Sequence, residues 1–404
     1  MSKSSEDKDF SDDDVDPGDV TAAANILRDY FSYDPDQRFH LEKAIGAGAN
    51  GIAWRVKYID PPVTRRLILK IDKTGVMEGF GGKGDGRATS VDMNGPLQAG
   101  TNHIVNEKHA LNILRKARHI VHLVEPEDDP LDADIKDLDP HDLTGWLFIE
   151  YLENGTLCDF VTKYMELYEE PLANRILWRF FLCLIRSCIA MAYPPGGQGY
   201  NLTETVPPNR RARRIRHGDM HDENVMFGAL SSGNDVEHNL TPILKLIDFG
   251  EALEFSETPE NVYRGEKENV FSIGLLMVEL ISLDRTESMN LMSGEGDWVG
   301  DYQARPNQPP MRVAPGFLLP DPNLPGNSNY PHVDQDLFGL VMACTAVDAR
   351  NRPPLAELER QAVHAVRTRN HQYYQNKNGN LALPESDESI KGIIADILFN
   401  ARTS

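Results

Sequence analysis

Three glycines near the start of the chain have the spacing of a phosphate-binding turn. Gly46, Gly48 and Gly51 form the pattern GxGxxG in IGAGANGIA, between two runs of β-type residues. Glycines at such positions let backbone amides close over phosphate oxygens without Cβ clashes. Glycine-rich hairpins are common, so this pattern alone is weak evidence for nucleotide binding.

A lysine in an apolar strand indicates an anionic partner. Lys70 lies in LILKI, where a charged amine is costly unless a carboxylate or a phosphate receives it. Glu107 lies in the helical segment NEKHALNIL and is a candidate for that partner, with Leu111 and Leu114 forming the packing face. The alternative interpretation is a surface lysine at a strand end and a surface glutamate on a helix.

The most informative stretch is HGDMHDENVMFG, which LKLIDFGEA follows. It places Asp219 and Asn224 in one short loop, and Asp248 directly after the strand-like run ILKLI. Phosphoryl transfer requires a cradle for phosphates, metal ligands and a group that orients the nucleophile. The sequence supplies candidates for all three in order.

At these positions the chain resembles the eukaryotic protein kinases. His217, Asp219 and Asn224 match the catalytic loop H-R-D-x-x-x-x-N, and the triplet that begins at Asp248 matches D-F-G. The segments VFSIGLLMVEL and LVMACTAVDARNRPPLAEL are similar to helices of the family's large lobe. The resemblance covers roughly residues 37–370.

The resemblance implies ATP and Mg²⁺ as ligands and a role for each matching residue. Asp219 would orient the substrate hydroxyl or accept its proton, and Asn224 and Asp248 would bind magnesium. Lys70 would hold the α- and β-phosphates and would pair with Glu107. The remaining nucleotide contacts would come from Gly46, Gly48 and Gly51 over the phosphates, and from Glu150 and Leu152 of the hinge 149–152 at the adenine.

The implied fold is α+β and bilobal, with a small β-rich N-lobe that carries one helix and a large, mainly helical C-lobe. A buried strand ILKI and an apolar helix over 173–192 agree with this division. Two stretches, 74–100 and 284–331, predict long irregular loops. The predicted parts are an acidic, largely disordered extension with one helical segment (1–36), the N-lobe and hinge (37–152), the C-lobe (153–372) and a tail with an amphipathic helix (373–404).

Four departures from the family pattern bear on activity. Gly218 replaces the loop arginine that receives an activating phosphate, and HGD also occurs in small-molecule phosphotransferases. His221 replaces a lysine and would donate to the γ-phosphate less strongly when neutral. No A-P-E follows Asp248, so neither the platform for a peptide acceptor nor the partner of Arg352 can be located. Asn269 replaces an aspartate, which keeps hydrogen-bonding capacity but drops the charge.

Three functions therefore stay open. They are a protein kinase that phosphorylates a protein hydroxyl, a pseudokinase that serves as a nucleotide-binding scaffold, and a small-molecule phosphotransferase. The joint presence of Lys70, Glu107, Asp219, Asn224 and Asp248 favours the protein kinase, with His221 assisting catalysis and serine or threonine as the commoner acceptor. The identity of the substrate protein cannot be read from the sequence.

A cluster of arginines stands directly before His217. It has two interpretations, a dock for an acidic or phosphorylated substrate and a loop that pairs with the protein's own acidic insertions, of which the second is favoured. Its members are Arg210, Arg211, Arg213, Arg214 and Arg216.

Composition excludes several classes of partner. The formal net charge is −21, from 41 basic and 62 acidic residues, which argues against nucleic-acid binding. The four scattered cysteines are typical of reduced core thiols in an intracellular protein and give no sign of a zinc site. Without an apolar signal region or a membrane span, we expect a soluble protein of the cytoplasm or nucleus.

Overall fold

A computed structural model describes most of the chain as a mixed α/β protein. The described residues are 17–48, 51–72, 96–97, 102–132, 145–196, 199–200, 202–231, 235–258, 264–285, 299–303, 309–319, 330–378 and 384–399. They divide into two compact units. The first unit comprises the described residues up to Arg115 together with Val121–Tyr151 and Asp248–Ala252, and the second comprises the rest.

A five-stranded sheet is the centre of the first unit. Its strands are β1 (Phe39–Gly48), β2 (Gly51–Asp60), β3 (Val63–Ile71), β4 (Leu123–Val124) and β5 (Trp146–Glu150). They pair in the order β1-β2-β3-β5-β4, and every pair is antiparallel. Lys70 lies opposite Ala53 of β2 and Leu147 of β5, so the lysine predicted to bind an anion occupies a central strand.

A helix before the sheet belongs to the same hydrophobic core. This helix, α1 (Pro17–Ser32), brings Leu27 and Tyr30 into the core that contains Phe39 of the sheet. The sequence predicted a helical segment here but placed it in an extension of residues 1–36. The packing instead assigns α1 to the first unit, because its buried apolar face is part of that unit's core.

The second helix of the first unit carries Glu107. This helix, α2 (His103–Leu114), begins at Asn102, whose side-chain oxygen accepts hydrogen bonds from the first turn of the helix. The cap satisfies amides that would otherwise lack partners. Leu111 and Leu114 are fully buried, as their predicted packing face requires.

The second unit is mainly helical. Its helices are α3 (Leu157–Leu167), α4 (Asn174–Ala192), α5 (Arg264–Ser282), α6 (Gln335–Cys344), α7 (Leu355–Thr368), α8 (His371–Asn378) and α9 (Asp387–Ile394). Short antiparallel pairs join β6 (Ile215–Arg216) to β9 (Leu253–Glu254), β7 (Val225–Phe227) to β8 (Leu244–Leu246), and β10 (Gly300–Tyr302) to β11 (Met311–Val313). The predicted apolar helix is α4, and it is buried along its whole length.

The predictions for the irregular stretches and for the tail have three different outcomes. The pair β10 and β11 lies inside the stretch 284–331, so the prediction of irregular structure is wrong for these strands. The glycine-rich stretch 74–100 lies outside the described residues except for Pro96 and Leu97. In the tail, α9 buries Ile390 and Ile393, which confirms the predicted amphipathic helix.

The described helices include none that could cross a membrane, because none is both long and apolar enough.

Candidate active site

The first unit brings Lys70, Glu107 and Asp248 together. The amine Nζ of Lys70 lies 2.9 and 2.8 Å from the two carboxylate oxygens of Glu107 and 3.6 Å from Oδ2 of Asp248. The Glu107 side chain is only 2% exposed, whereas that of Asp248 is 46% exposed. The predicted pairing of strand lysine and helix glutamate is therefore present, and Asp248 adds an accessible carboxylate.

Burial and charge act in opposite directions on this pair. Burial alone would lower the pKa of Lys70, but the carboxylates of Glu107 and Asp248 outweigh it and raise that pKa. Burial raises the pKa of Glu107, against the opposing effects of Lys70 and of the backbone N–H of Phe249. Each charge thus depends on the other, since a buried ion that loses its partner is strongly destabilising.

A cavity of about 270 Å³ opens beside Lys70 in the first unit. Gly51 faces it, and a Cβ added there would lie 2.3 Å from the carbonyl oxygen of Ile71, so no side chain fits. At Gly46, among the described residues, an added Cβ would contact Ala53 at an ordinary 3.8 Å. The residues lining the cavity are Gly46, Ala47, Gly51, Ile52, Ala53, Lys70, His103, Ile104, Glu107 and Asp248.

Two of the three predicted glycines, Gly46 and Gly51, line the cavity and differ in what surrounds them. Gly48 ends β1 and pairs with Gly51 across the turn. Gly51 is required by the close approach of β3, whereas Gly46 leaves space at the cavity wall. Such space is what a bound phosphate group needs from the turn.

Asn106 is a site residue that the sequence did not single out. Its buried side-chain amide donates hydrogen bonds of 2.8 Å to the carbonyl oxygens of Gly250 and Ala252. Together with the bond from the Phe249 N–H to Glu107, these contacts hold the D-F-G segment against α2. No local signal marks Asn106, because its partners lie far along the chain.

The predicted hinge has structural contacts of its own. Oε1 of Glu150 accepts a hydrogen bond of 2.8 Å from the backbone N–H of His122, and the Glu150 N–H donates to the carbonyl of His122 at 3.0 Å. These bonds fix the end of β5. The chain passes from the first unit to the second between Tyr151 and Leu152, inside the predicted hinge, and Leu152 is buried.

In the second unit, the loop 217–224 brings Asp219, His221 and Asn224 together. The side-chain amide of Asn224 donates to the Asp219 carbonyl at 2.9 Å and to its carboxylate at 3.1 Å. Hydrogen bonding from His221 is the main cause that lowers the pKa of Asp219. Its half-exposed carboxylate is therefore ionised at neutral pH, as a proton acceptor must be.

Two buried residues, His217 and Asn269, hold this loop in place through hydrogen bonds to the backbone. His217 is buried, and its Nδ1 accepts from the Asp219 N–H at 3.2 Å while its Nε2 donates to the carbonyl of Ile247 at 2.9 Å. Oδ1 of Asn269 accepts from the His217 N–H at 3.0 Å, and Nδ2 donates to the carbonyl of Ile215 at 2.8 Å. Asparagine thus uses both a donor and an acceptor where the kinase pattern has an aspartate.

The backbone explains the glycine of the HGD motif. Gly218 has φ of 96°, in the left-handed region that side chains other than glycine rarely adopt. An arginine at this position would be strained in the present loop conformation. The departure from H-R-D is therefore matched by the local backbone.

His221 is flanked by two carboxylates. Nε2 lies 3.5 Å from Oδ2 of Asp219, and Nδ1 lies 3.8 Å from Oδ1 of Asp222. Hydrogen bonding to Asp219 and then to Asp222 raises the pKa of His221 to about 10. The amide nitrogen of Asn224, 2.9 Å from Nε2, opposes a proton there, but it carries no full charge and the two carboxylates prevail. The two carboxylates therefore favour the protonated form of the ring.

The arginine cluster pairs inside the second unit. Arg213 binds Glu254 through two hydrogen bonds of 2.8 and 2.5 Å. The carboxylate partners among the described residues are Glu254, Glu257 and Glu268, which all follow the D-F-G motif, so this part of the cluster pairs with the protein's own carboxylates. The other contacts join Arg211 and Arg214 to Glu257, Arg216 to Glu268, and Arg210 to the carbonyl of Pro194.

Arg352 also has partners that the sequence did not reveal. Its guanidinium donates to the carbonyl oxygens of Lys267 at 2.8 Å and Ala346 at 2.9 Å, and it lies 4.4 Å above the ring of Phe271. The amine of Lys267 in turn donates to the carbonyl of Arg352. Backbone groups and an aromatic ring therefore surround this arginine.

The predicted metal ligands have donors that suit magnesium. Asp248 presents an accessible carboxylate, and Asn224 carries an amide oxygen. Magnesium prefers such hard oxygen donors and is usually held by one or two protein ligands together with phosphates and water. The donor types in each unit therefore fit Mg²⁺.

No protein-family model matches the chain, and no curated protein matches its sequence. The chemistry of the site is therefore inferred from the residues and their geometry.

Proposed function

We propose that this protein is an ATP- and magnesium-dependent protein kinase with a bilobal protein-kinase-like fold, which transfers the γ-phosphate to a serine or threonine hydroxyl of a protein. One observation carries the proposal. Lys70 lies between Glu107 and Asp248 at a cavity walled by Gly46 and Gly51. A protonated amine, an accessible carboxylate and a glycine turn are what a magnesium-bound triphosphate requires.

The residues of the first unit would position the nucleotide. Glu107 keeps the Lys70 amine protonated and directed at the cavity, so that Lys70 can hold phosphate oxygens. Asn106 keeps the segment that carries Asp248 in place through the carbonyls of Gly250 and Ala252. Bound ATP and Mg²⁺ supply the phosphoryl group and neutralise the charge that develops on it.

The residues of the second unit would act on the acceptor. Asp219 is ionised and half exposed, so it can accept a hydrogen bond from a hydroxyl and then its proton. His221 places a positive charge 3.5 Å from that carboxylate, where it can also attract a phosphoryl oxygen. The depressed pKa of Asp219 limits its strength as a base, which suits a role in orienting the nucleophile.

A protein acceptor is favoured over a small molecule by the segments around α5, α6 and α7, whose sequences resemble the large lobe of protein kinases. The arginine cluster supports this choice, because it forms ion pairs with Glu254, Glu257 and Glu268, which follow D-F-G in the chain. In the protein-kinase pattern, the segment after D-F-G is where a peptide acceptor binds.

The test is ATP turnover with Mg²⁺ by the purified chain, with a generic protein acceptor and with the chain itself as acceptor. We expect phosphate on protein, and we expect Asp219→Asn to abolish most of it. Turnover on small hydroxyl compounds alone would replace the protein acceptor with a small molecule. If ATP and Mg²⁺ raise the melting temperature but no turnover occurs, the protein is a nucleotide-binding scaffold and the kinase proposal fails.

A further inference from the structure

Two imidazoles and a thiol meet in the interior of the second unit. Nε2 of His119 lies 3.1 Å from Nε2 of His238, and Sγ of Cys183 lies 3.5 Å from the same nitrogen of His238. All three ligand atoms lie within 4.8 Å of one another, and each residue is at most 2% exposed. None of them belongs to the proposed phosphotransfer site.

Carboxylates fix the outer nitrogen of each imidazole. Nδ1 of His119 lies 2.6 Å from Glu204, and Nδ1 of His238 lies 3.0 Å from Asp235, which also pairs with Arg118. Each Nδ1 therefore carries a proton and donates it to a carboxylate. The Nε2 atoms of both rings then converge with the sulfur, and a shared proton or a metal ion between them would relieve the repulsion of their lone pairs in this buried place.

We propose that Nε2 of His119, Nε2 of His238 and Sγ of Cys183 bind one zinc ion. Zinc–nitrogen bonds of about 2.0 to 2.1 Å and a zinc–sulfur bond of about 2.3 Å in a tetrahedral arrangement place the nitrogens about 3.3 Å apart and the sulfur about 3.6 Å from each nitrogen. The observed separations of 3.1 and 3.5 Å lie close to these values.

The ligand types favour zinc over the magnesium of the proposed reaction. Imidazole and thiolate suit zinc, whereas magnesium requires hard oxygen ligands. A carboxylate behind each metal-binding histidine is the common outer arrangement of zinc sites, since it fixes the tautomer and the ring orientation. Three protein ligands leave one tetrahedral position for a water molecule.

The ion joins distant parts of the second unit. His119 follows α2 in the chain, Cys183 lies in the middle of α4, and His238 lies between β7 and β8. Glu204, which lies in the loop after α4, is linked to the cluster because its carboxylate contacts both the backbone N–H and Nδ1 of His119. Because these segments are far apart in sequence, a metal that binds the folded arrangement adds its binding free energy to the stability of the unit.

The first experiment is elemental analysis of the full chain, purified without chelators and without a histidine tag. We expect about one zinc ion per chain. Cys183→Ser should lose the zinc, whereas Cys188→Ser should keep it, because Cys188 is an equally buried thiol of the same helix outside the cluster. A chelator should lower the melting temperature of the wild-type chain, and added zinc should restore it.

A second measurement does not depend on the variants folding. Wild-type chain stripped of metal and supplied with Co²⁺ should show the absorption of tetrahedral cobalt with a thiolate charge-transfer band. The proposal is overturned if the wild-type chain contains no zinc, takes up neither zinc nor cobalt and melts at the same temperature with chelator, since protons alone would then hold the cluster. The proposal is also overturned if folded Cys183→Ser and His238→Ala each contain as much zinc as the wild-type chain.

Discussion

Oδ1 of Asn269 accepts a hydrogen bond of 3.0 Å from the backbone N–H of His217, at the start of the loop that carries Asp219. The same side chain donates through Nδ2 to the carbonyl of Ile215 at 2.8 Å. Asn269 is 2% exposed, so water cannot replace either bond. The position of Asp219 thus depends on a neutral amide that is both donor and acceptor.

Asn269→Asp should therefore destabilise the protein, although it restores the residue of the kinase pattern. The carboxylate would lose the donor to Ile215 and would face a carbonyl oxygen in a buried place. We expect a loss of about 1–3 kcal/mol in the free energy of unfolding, measured from urea denaturation midpoints. Asn351→Asp, on an exposed turn, is the matched control and should change little. An unchanged midpoint for Asn269→Asp would show that the amide does not anchor the loop.

Asp219→Asn separates chemistry from nucleotide binding. The substitution keeps the shape of the side chain but removes the charge that would orient the acceptor hydroxyl. We expect turnover to fall by about two orders of magnitude or more while ATP affinity is nearly unchanged. Asp301→Asn, on an exposed strand, should leave both quantities at the wild-type level. Wild-type turnover in Asp219→Asn would remove Asp219 from the reaction.

Local sequence patterns were sufficient for the parts of the site that lie within single strands, helices and loops. Lys70 was recognisable because a charge in an apolar strand needs a partner, and Glu107 because it is the one carboxylate in the helical segment NEKHALNIL. Leu111 and Leu114 followed from helical periodicity, and both are buried. These predictions required only the residue types and the periods of regular structure.

Contacts between distant segments could not be read from the sequence. Asn106 binds carbonyl oxygens more than a hundred residues away, and no period relates it to them. His119, Cys183 and His238 lack the close spacing of familiar zinc motifs, so only the folded chain brings them together. The sequence indicated that the arginine cluster needs acidic partners, but it did not identify Glu254 as one of them.

Lys70→Met should impair both binding and stability. The amine would no longer meet phosphate oxygens, and Glu107 would remain as a buried carboxylate without its counter-charge. We expect ATP affinity, turnover and melting temperature all to fall. In Lys70→Met with Glu107→Gln, the melting temperature should recover in part while turnover stays low. A recovery of turnover in the double variant would contradict the role of Lys70 at the phosphates.

Exchange of charges should distinguish internal pairing of the arginine cluster from substrate docking. Arg213→Glu would face Glu254 at the present ion pair and should lower the stability by at most about 1 kcal/mol, because the pair is partly exposed. Arg213→Glu combined with Glu254→Arg should restore the melting temperature. If the double variant stays as unstable as the single one, the pair seen here does not contribute.

The charge of His221 should appear as a pH dependence of stability. Contacts with Asp219 and Asp222 raise the pKa of His221 from 6.5 to about 10, so the folded state favours the protonated ring. The stability that this charge contributes is fully present below about pH 6.5 and is lost as the pH rises through about 10. The difference in melting temperature between the wild-type chain and His221→Gln should therefore be largest near pH 6 and should shrink steadily toward pH 10.

The pH profile of turnover should likewise show no break near 6.5 from this residue. A difference that stays constant over this range would mean that His221 is neutral in the folded protein, and the donor to the phosphoryl group would then have to be sought elsewhere.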